Sequence, residues 1–432
     1  MNLMRVSEPW LSASTIPDDW MPTRIRNVAQ LSPGYSDCLP QHDEQCTVVP
    51  MELLSEAGMI DTSLLQAFED ISSGLSLFEE GDVLFAKITP CMENGKGAFV
   101  ESLPTRYAFG STEFHVLRPS HAVNAKFLYY YTFNPIFRAY AAENMSGAAG
   151  QKRVSSRFLR DTRLFLPPLP EQERIAAYLD ASCAAIDAAV AAKRGQLEGL
   201  DGLWNTTLHV AFAHEDWPVE RIKDVAVKIG SGVTPEGGAS SYLDEGIPLL
   251  RSQNVHFDGL RLADVAFISE ETHAEMAGSR LKPRDVLLNI TGASIGRCTF
   301  IPDDFGEGNV NQHVCIIRGS RKIDHRFLAG FLSSPMGQGQ ILSSFTGASR
   351  QGLSHKDLGL INIPFPPLGV QRDIVSALER EKSNQDRMRA NIESQISTLL
   401  AYRKSLIHEC VTGARRVAAA DVARAAALRP GN

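Results

Sequence analysis

The sequence predicts an α+β protein in which two mixed α/β domains are joined by two long helices that pair antiparallel as a coiled coil. Three observations predict this class: a pseudo-twofold repeat of about 200 residues, short β-rich runs in the first part of each copy, and an apolar helical seam in the second part. The chain has 432 residues, of which 44% are hydrophobic and 22% charged, and these values fit two or three globular domains.

The repeat consists of five segments that recur in the same order. WMPTRIRNVAQ from Trp20 resembles WPVERIKDVAV from Trp217, and Arg24 then aligns with Arg221 at an offset of 197. The other pairs, at offsets of 203, 200, 200 and 199, are GDVLFAKITP with RDVLLNITGA, FHVLRP with VCIIRG, SGAAGQ with TGASRQ, and PPLPEQERIAAYLD with PPLGVQRDIVSALE. Small changes in offset are expected from insertions in surface loops, so a duplication is indicated.

Each copy changes from β-rich runs to a helical seam after its Pro-rich segment. The seams, with apolar residues mostly three and four apart, are Ile175, Leu179, Cys183, Ile186, Val190, Lys193, Leu197, Leu200 and Trp204, and then Ile374, Leu378, Met388, Ile392, Ile396, Leu399 and Ile407. The predicted segments are an N-terminal segment 1–19, a domain 20–169, a helix 170–213, a domain 214–369, a helix 370–413 and a tail 414–432.

The two predicted helices are longer than those of most compact domains, at about 60 Å each for a rise of 1.5 Å per residue. An apolar seam of that length needs another surface to cover it, and the other helix is the simplest partner. The alternative is that each helix packs along its own globular domain.

Composition excludes several classes of protein. Seven widely spaced cysteines without a CxxC pair argue against a disulfide framework or structural zinc, and reduced thiols fit the cytoplasm. The N-terminus has no signal-peptide pattern, and we expect no run approaching the roughly 18–20 apolar residues of a membrane span. The net charge of −7 argues against a protein that coats DNA, although 151–163 has five cations and one acid, typical of either a phosphate-contacting segment or a solvated loop.

Three segments resemble the specificity subunits of Type I restriction–modification enzymes. They are PPLPEQERIAAYLD at the start of the first helix, GSTEFHVLRP at 110–119 and SLIHECVTGARRV at 405–417. The first is the most specific; its second copy departs from the pattern, because Gly369-Val370 replaces Pro170-Glu171. The resemblance extends from Trp20 to about Val417.

The resemblance implies a subunit that reads DNA sequence and catalyses no reaction itself. Each domain would be a target recognition domain for one half of an asymmetric bipartite site, and the helices would set the spacer and dock the methyltransferase subunits. The implied partners are double-stranded DNA, two methyltransferase (modification) subunits and restriction subunits. No cofactor is expected on this chain; S-adenosylmethionine, ATP and Mg²⁺ are expected on the partners, in the cytoplasm and away from membranes.

Candidate DNA contacts are polar loop residues, because base edges are read by forked or paired hydrogen-bonding groups. In the first domain they are Asn94, Lys96, Gln151, Lys152 and Arg153. In the second they are Arg251, Gln253, Asn254, Asn289, Thr291, Ser294, Arg350, Gln351, His355 and Lys356. Each is also an ordinary loop residue.

Two other functions fit parts of the pattern. The segment from Asn134 to Phe137, NPIF, resembles the adenine-methyltransferase motif, but it lacks the second proline, and Ser334-Pro335 in the other copy suggests a repeated helix break. A coiled-coil scaffold with two protein-binding domains is the other alternative. Basic residues that line one face shared by both globular domains would favour DNA, and apolar patches on those faces would favour a scaffold.

Overall fold

The computed structural model describes residues 16–34, 40–71, 73–148, 150–344 and 352–428. The chain forms two compact units, the first comprising Met1–Lys193 with Ser394–Asn432 and the second comprising Arg194–Glu393. Two long helices, α5 (Leu169–Phe212) and α11 (Leu368–Thr412), each contribute one part to each unit. A unit is therefore one β-rich domain together with segments of both helices.

The first unit contains ten strands and short helices among its described residues. The strands are β1 (Met21–Arg24), β2 (Ala29–Leu31), β3 (Gln45–Val49), β4 (Leu65–Ala67), β5 (Ser76–Phe78), β6 (Val83–Ala86), β7 (Gly97–Phe99), β8 (Ala108–Gly110), β9 (Phe114–Pro119) and β10 (Arg163–Leu166). The helices are α1 (Ile25–Val28), α2 (Ala125–Phe133), α3 (Pro135–Glu143), α4 (Ser156–Asp161) and, near the C-terminus, α12 (Ala419–Ala427).

The second unit repeats this order with additional short elements. Its strands are β11 (Val219–Arg221), β12 (Ala226–Ser231), β13 (Ile247–Leu250), β14 (Val255–His256), β15 (Gly259–Leu260), β16 (Ala266–Ile268), β17 (Val286–Asn289), β18 (Cys298–Phe300), β19 (Asn309–Val310), β20 (Val314–Gly319) and β21 (Asn362–Pro364). Its helices are α6 (Ile222–Val225), α7 (Glu270–Glu275), α8 (His325–Ser333), α9 (Pro335–Ser343) and α10 (His355–Gly359).

The sheets confirm the duplication. The strand order β2-β9-β6-β7 in the first unit matches β12-β20-β17-β18 in the second, and all neighbours in both sheets are antiparallel. A second sheet in each unit contains one parallel pair, β3 with β8 and β13 with β19. Even the register corresponds, since Leu84 pairs with Val116 as Leu287 pairs with Ile316.

A glutamine at the start of each long helix fixes that helix to its domain. Gln172 is buried, accepts a hydrogen bond from the Asn124 backbone N–H at 2.7 Å and donates to the Pro167 carbonyl at 2.8 Å. Gln371 makes the same two contacts, with the Asp324 N–H at 2.9 Å and the Pro366 carbonyl at 2.9 Å. This repeated pair of bonds explains why the same glutamine recurs at the start of both long helices.

The departure at Val370 also has a structural reason. Its counterpart Glu171 is 4% exposed and pairs with Arg416, whose Nε lies 3.1 Å from a Glu171 oxygen. Arg416 also binds Asp19 at 2.7 Å. Arg416 therefore links Asp19 and the start of α5 within the first unit, and Glu171 is its buried partner.

The helices pair antiparallel within each unit, as the sequence predicts. Arg403 contacts Asp187 at 3.1 Å in the first unit, and Arg389 contacts Asp201 in the second. In the first unit, moving back on α5 from Asp187 to Tyr178 moves the partner forward from Arg403 to Arg415, just after α11. In the second unit, moving forward on α5 from Asp201 to Trp204 moves the partner back from Arg389 to Lys382. The seams also join the domain cores, where Ile175, with 0% exposure, packs with Phe127.

One seam residue is placed wrongly by the sequence pattern. Met388 is 52% exposed, whereas Gln385 is 5% exposed. Gln385 lies seven residues after Leu378 and seven before Ile392, so it keeps the heptad spacing with a polar side chain. Its amide donates to Glu381 at 3.3 Å, which explains how a glutamine is tolerated there.

The expectation that no apolar run approaches the length of a membrane span was wrong. Helix α5 is long enough, and one 18-residue window in it has a mean hydropathy of 1.5. The buried share of that window is 44%, and seam residues of the same helix, such as Ile175 and Leu179, lie in the core of the first unit. A core helix meets the same criterion, so length and composition alone do not distinguish the two cases.

Candidate nucleic-acid interface

Loops from distant parts of the chain meet at one edge of the first unit. We define the first loop surface as residues 87–96, 111–113, 146–148 and 150–154. The Lys87 backbone N–H donates to the Glu113 carbonyl at 2.9 Å, and the Val154 N–H donates to the Lys87 carbonyl at 2.8 Å. The Thr89 N–H donates to the Lys152 carbonyl at 3.0 Å. These bonds fix segments 87–96, 111–113 and 150–154 to one another, and the Ser146 N–H, which donates to the Arg153 carbonyl at 3.0 Å, attaches the fourth.

The second unit builds the corresponding surface with two of these backbone bonds repeated. We define the second loop surface as residues 231–232, 251–254, 289–297, 311–313 and 352–356. The Ile290 N–H donates to the His313 carbonyl at 3.0 Å, and the Leu353 N–H donates to the Ile290 carbonyl at 2.8 Å. Ile290 thus takes the place of Lys87. The framework is duplicated while the side chains differ.

The long loop of each surface ends in the same turn. Gly95 has φ of 90° and Gly296 has φ of 86°, and each is followed by one residue before the next strand begins. This left-handed conformation favours glycine because a Cβ would clash with the backbone. The loop after β6 and the loop after β17 therefore leave their sheets similarly despite unrelated sequences.

A buried ion pair fixes the strands beneath these loops. Arg118 donates to both oxygens of Asp82 at 3.0 and 2.9 Å, and Arg318 donates to both oxygens of Asp285 at 2.7 and 2.8 Å. Asp82 and Asp285 are 1% and 0% exposed. Asp82 is therefore half of a structural pair that the second unit repeats with Asp285.

The residue Asn134 of the methyltransferase-like motif is also structural. It is fully buried, and its side-chain oxygen accepts from the Ile136 N–H at 3.1 Å to cap α3. Ser334 caps α9 in the same way by accepting from the Gly337 N–H at 3.2 Å. The motif is therefore a repeated helix start, as the sequence comparison of the two copies suggests.

Six of the candidate DNA contacts are exposed on the two loop surfaces. They are Asn94, Gln151, Lys152, Gln253, His355 and Lys356. The ring of His355 accepts a hydrogen bond from the Ser231 N–H through Nε2 at 3.1 Å. In the neutral ring the proton is then on Nδ1, so Nδ1–H can donate a hydrogen bond to a ligand.

Two cationic candidates are already engaged in the first unit. Arg153 donates to both oxygens of Glu113, with contacts of 2.7 to 3.1 Å. These bonds hold the pKa of Glu113 below its usual range and raise that of Arg153. Lys96 donates from Nζ to the Met51 carbonyl at 2.9 Å. Both side chains stabilise the loops, and their charge remains part of the surface.

Two candidates in the second unit, Asn254 and Asn289, are buried here, and their contact with bases stays a prediction. Asn254 is 1% exposed, accepts from the Arg251 N–H at 2.9 Å and donates to the Arg261 carbonyl at 2.8 Å. Asn289 is 0% exposed and donates to the Ser252 carbonyl at 2.8 Å and to Ser294 at 3.2 Å. Both amides hold the shape of their loops, because their hydrogen bonds are made to backbone groups of the loops and not to a ligand.

Three further candidates in the second unit, Arg251, Thr291 and Ser294, are partly buried. Arg251 donates to the Asp264 carbonyl at 2.7 Å and lies over the Tyr242 ring, 5.5 Å from its centroid. Thr291 and Ser294 lie in the loop after β17, where they are half-buried. Arg350 and Gln351 lie outside the described residues.

Sequence reasoning missed Gln312 and His313. The Gln312 amide lies 3.0 Å from His313 Nε2, and His313 Nδ1 lies 2.6 Å from the Thr291 hydroxyl. With Nε2 accepting from the amide, Nδ1–H donates to Thr291 and leaves that hydroxyl proton available to a ligand. The available signal was the polar run from Asn311 to His313 directly before a repeated strand.

The charges of the two surfaces have the sign that suits a polyanion. The described residues of the second surface include Arg251, Arg297 and Lys356 and no Asp or Glu. The first surface carries four cations and two acids, in a chain whose net charge is −7. Among the described residues, none of the exposed large apolar side chains lies on either surface. Cations without an apolar patch favour nucleic acid over a protein partner.

Comparison with known proteins gives a consistent result. The family model described as "Type I restriction modification DNA specificity domain" matches residues 17–198 and 214–398. The chain is 35% identical over 164 residues to the specificity subunit of the Type I restriction enzyme EcoAI from Escherichia coli, covering 37% of this chain and 27% of that protein. It is 23% identical to the MjaVIII specificity subunit of Methanocaldococcus jannaschii, covering 93% and 94%.

Solved structures show the same fold. The HsdS subunit from Thermoanaerobacter tengcongensis aligns with a TM-score of 0.53 and 19% identity over 93% of this chain and 98% of that one. A chain solved in a study of complex assembly and conformational transition of the type I R-M system aligns with a TM-score of 0.73 and 19% identity over 93% and 99%.

Proposed function

The chain belongs to the Type I restriction–modification DNA specificity family, and we propose that it is the subunit that reads DNA sequence for such an enzyme. The observation that carries this proposal is the pair of loop surfaces, which share a backbone framework and differ in the side chains that they expose. Two diverged readers in one chain would bind two different half-sites, whereas identical subunits bind symmetric ones. The target would be bipartite and asymmetric.

The division of labour follows the predicted segments. Residues 20–169 and 214–369 would act as the two target recognition domains. The helices 170–213 and 370–413 would set the length of the uncontacted spacer. Exposed donors on the loop surfaces would read base edges, and lysines such as Lys152 would contact phosphates.

Chemistry would belong to the partners. Two methyltransferase subunits, and restriction subunits where they are present, would dock on this chain in the cytoplasm and carry S-adenosylmethionine, ATP and Mg²⁺. The chain itself would neither methylate nor cut DNA, consistent with the structural roles of Asp82 and Asn134. Methyl transfer from labelled S-adenosylmethionine by the isolated chain would contradict this.

A domain exchange tests the proposal. Modified adenines are mapped genome-wide in cells that carry the chain and a methyltransferase partner, with and without replacement of 20–169 by the same region of a relative. The exchange should change one half-site and leave the other half-site and the spacer intact. The matched control replaces 214–369 and should change only the other half-site. If either exchange altered both half-sites together, the two domains would not be separate readers.

A further inference from the structure

A residue at one repeated position ties the long loop of each surface to the domain core. Arg138 in α3 and Gln338 in α9 occupy the same place in the repeat, four residues after the caps Asn134 and Ser334. Arg138 is buried and Gln338 is partly buried. Both side chains donate to main-chain carbonyls of the loop.

In the first unit the contact is made by a buried guanidinium. Arg138 is 6% exposed and donates to the Met92 carbonyl at 2.8 Å and to the Lys96 carbonyl at 3.3 Å. Its Nε donates to the Thr132 carbonyl at 2.8 Å, at the end of α2. Met92 and Lys96 lie on either side of exposed Asn94, so one side chain holds both arms of the loop tip.

The guanidinium is held by oxygen dipoles and aromatic rings. Its central carbon lies 4.8 Å from the ring centroids of both Phe85 and Phe133. Burial lowers the pKa of Arg138 to about 9, so it remains cationic near neutrality. Keeping a charge in this place costs desolvation free energy, which a simple packing role would not require.

The second unit makes the equivalent contact with an amide. The Gln338 side-chain nitrogen donates to the Gly296 carbonyl in the loop at 2.9 Å and to the Leu332 carbonyl at the end of α8 at 2.6 Å. Leu332 corresponds to Thr132 at the repeat offset of 200. The shorter loop 290–297 is thus held at one carbonyl, and the longer loop 87–96 at two.

We propose that Arg138 and Gln338 are positioning residues that set half-site specificity by fixing the shape of the recognition loop above each of them. The inference rests on the proposed function. Side chains that read base edges must be held within about 0.5 Å and 10–20° of a productive geometry. The number of donors at this position matches the number of loop carbonyls that they bind, two for Arg138 and one for Gln338. Changing the residue should therefore lower the sequence specificity for one half-site without removing a side chain that contacts DNA.

The test uses the full chain with its methyltransferase partner and genome-wide mapping of modified adenines. Arg138→Gln supplies the donor set of the other unit, Arg138→Lys keeps the charge, and Gln338→Glu replaces a donor by an acceptor. Both Arg138 variants should raise modification of sites mismatched in the first unit's half-site at least tenfold. Gln338→Glu should do the same for the other half-site only. Glu143→Gln, an exposed change on α3, is the matched control and should have no effect.

The outcomes separate the inference from the function on which it rests. A wild-type chain that directs no bipartite modification would refute the proposed function. A bipartite wild-type pattern with variants that change neither half-site, or both equally, would overturn the positioning role alone. Loss of all modification by Arg138→Lys and Gln338→Glu in chains that melt like wild type would also overturn it, because a general structural role would then explain both residues. If Arg138→Gln fails to fold, the other two variants decide the question.

Discussion

The duplicated ion pair allows the stability of the two units to be tested separately. Arg118→Met removes the guanidinium that binds both oxygens of Asp82 and keeps a side chain of similar length. Asp82 would then be a charge at 1% exposure that retains the Glu79 backbone N–H as a donor at 2.9 Å. We expect the first unit to lose stability while the second keeps it.

The size of the loss follows from the burial of the pair. Removing one partner of a buried ion pair costs about 3–5 kcal/mol. The Arg118 side chain is 24% exposed, so some water reaches the site and the lower value, about 3 kcal/mol, is the better expectation. For a unit of this size that corresponds to a fall of roughly 6–12 °C in melting temperature. Asp82→Asn removes the charge itself and should cost about 1–2 kcal/mol, because the oxygen can still accept.

Hydrogen exchange followed strand by strand is the assay. Arg118→Met should accelerate exchange in β6 and β9 and leave β17 and β20 at the wild-type rate. Arg318→Met is the matched control, since Arg318 is 22% exposed and binds Asp285 in the same way, and it should give the reverse pattern. The double variant Asp82→Asn with Arg118→Met should cost less than the sum of the two single changes. Equal acceleration in both sheets, or additive losses, would refute the reasoning.

Three further outcomes are expected. Arg416→Ala removes the arginine that pairs with Glu171, which is 4% exposed, and should destabilise the first unit by about 1–3 kcal/mol in chemical denaturation. This range lies below the usual loss for a buried ion pair because the Arg416 side chain is half exposed to water. Arg153 lowers the pKa of Glu113, so this pair stabilises the fold above the unfolded pKa of Glu113, and the contribution is lost as pH falls through the folded pKa. Glu113→Gln should remove this part of the fall in melting temperature at acid pH. A melting temperature that falls with acid as in the wild type would contradict this. Lys152→Ala should weaken specific and non-specific DNA binding alike and reduce the salt slope by about one, whereas a loss confined to one sequence would show base reading instead.

The architecture could be predicted from the sequence because the duplication is visible as similar segments that recur in the same order. Five matched segments defined the repeat, and spacing of three and four predicted helices whose observed bounds, Leu169–Phe212 and Leu368–Thr412, differ from the prediction by one or two residues. The pattern failed at Met388 because it counted apolar residues only. The buried position belongs to Gln385, which satisfies its amide locally.

The candidate contacts were harder to predict because the same side chains suit bases and backbone. Asn254 and Asn289 have the amides that read adenine, yet both are used to hold loops. Nothing in one sequence distinguishes an amide pointing outward from one pointing inward. His313 was missed because its hydrogen bond to Thr291 joins residues 22 positions apart, and a local sequence pattern does not show such a contact.

The first unit is interrupted in the chain, and this affects the order in which the protein can fold during synthesis. Its core needs Leu406 and Ile407 from the far end of α11, whereas the second unit is the continuous stretch Arg194–Glu393. At a ribosomal rate of about 5–20 residues per second, the N-terminal domain waits roughly 10–40 s for the segment that completes it. The domain made second can therefore finish first. Until Leu406 and Ile407 have been synthesised, the apolar residues of α5 that pack with them in the core of the first unit lack that part of their cover.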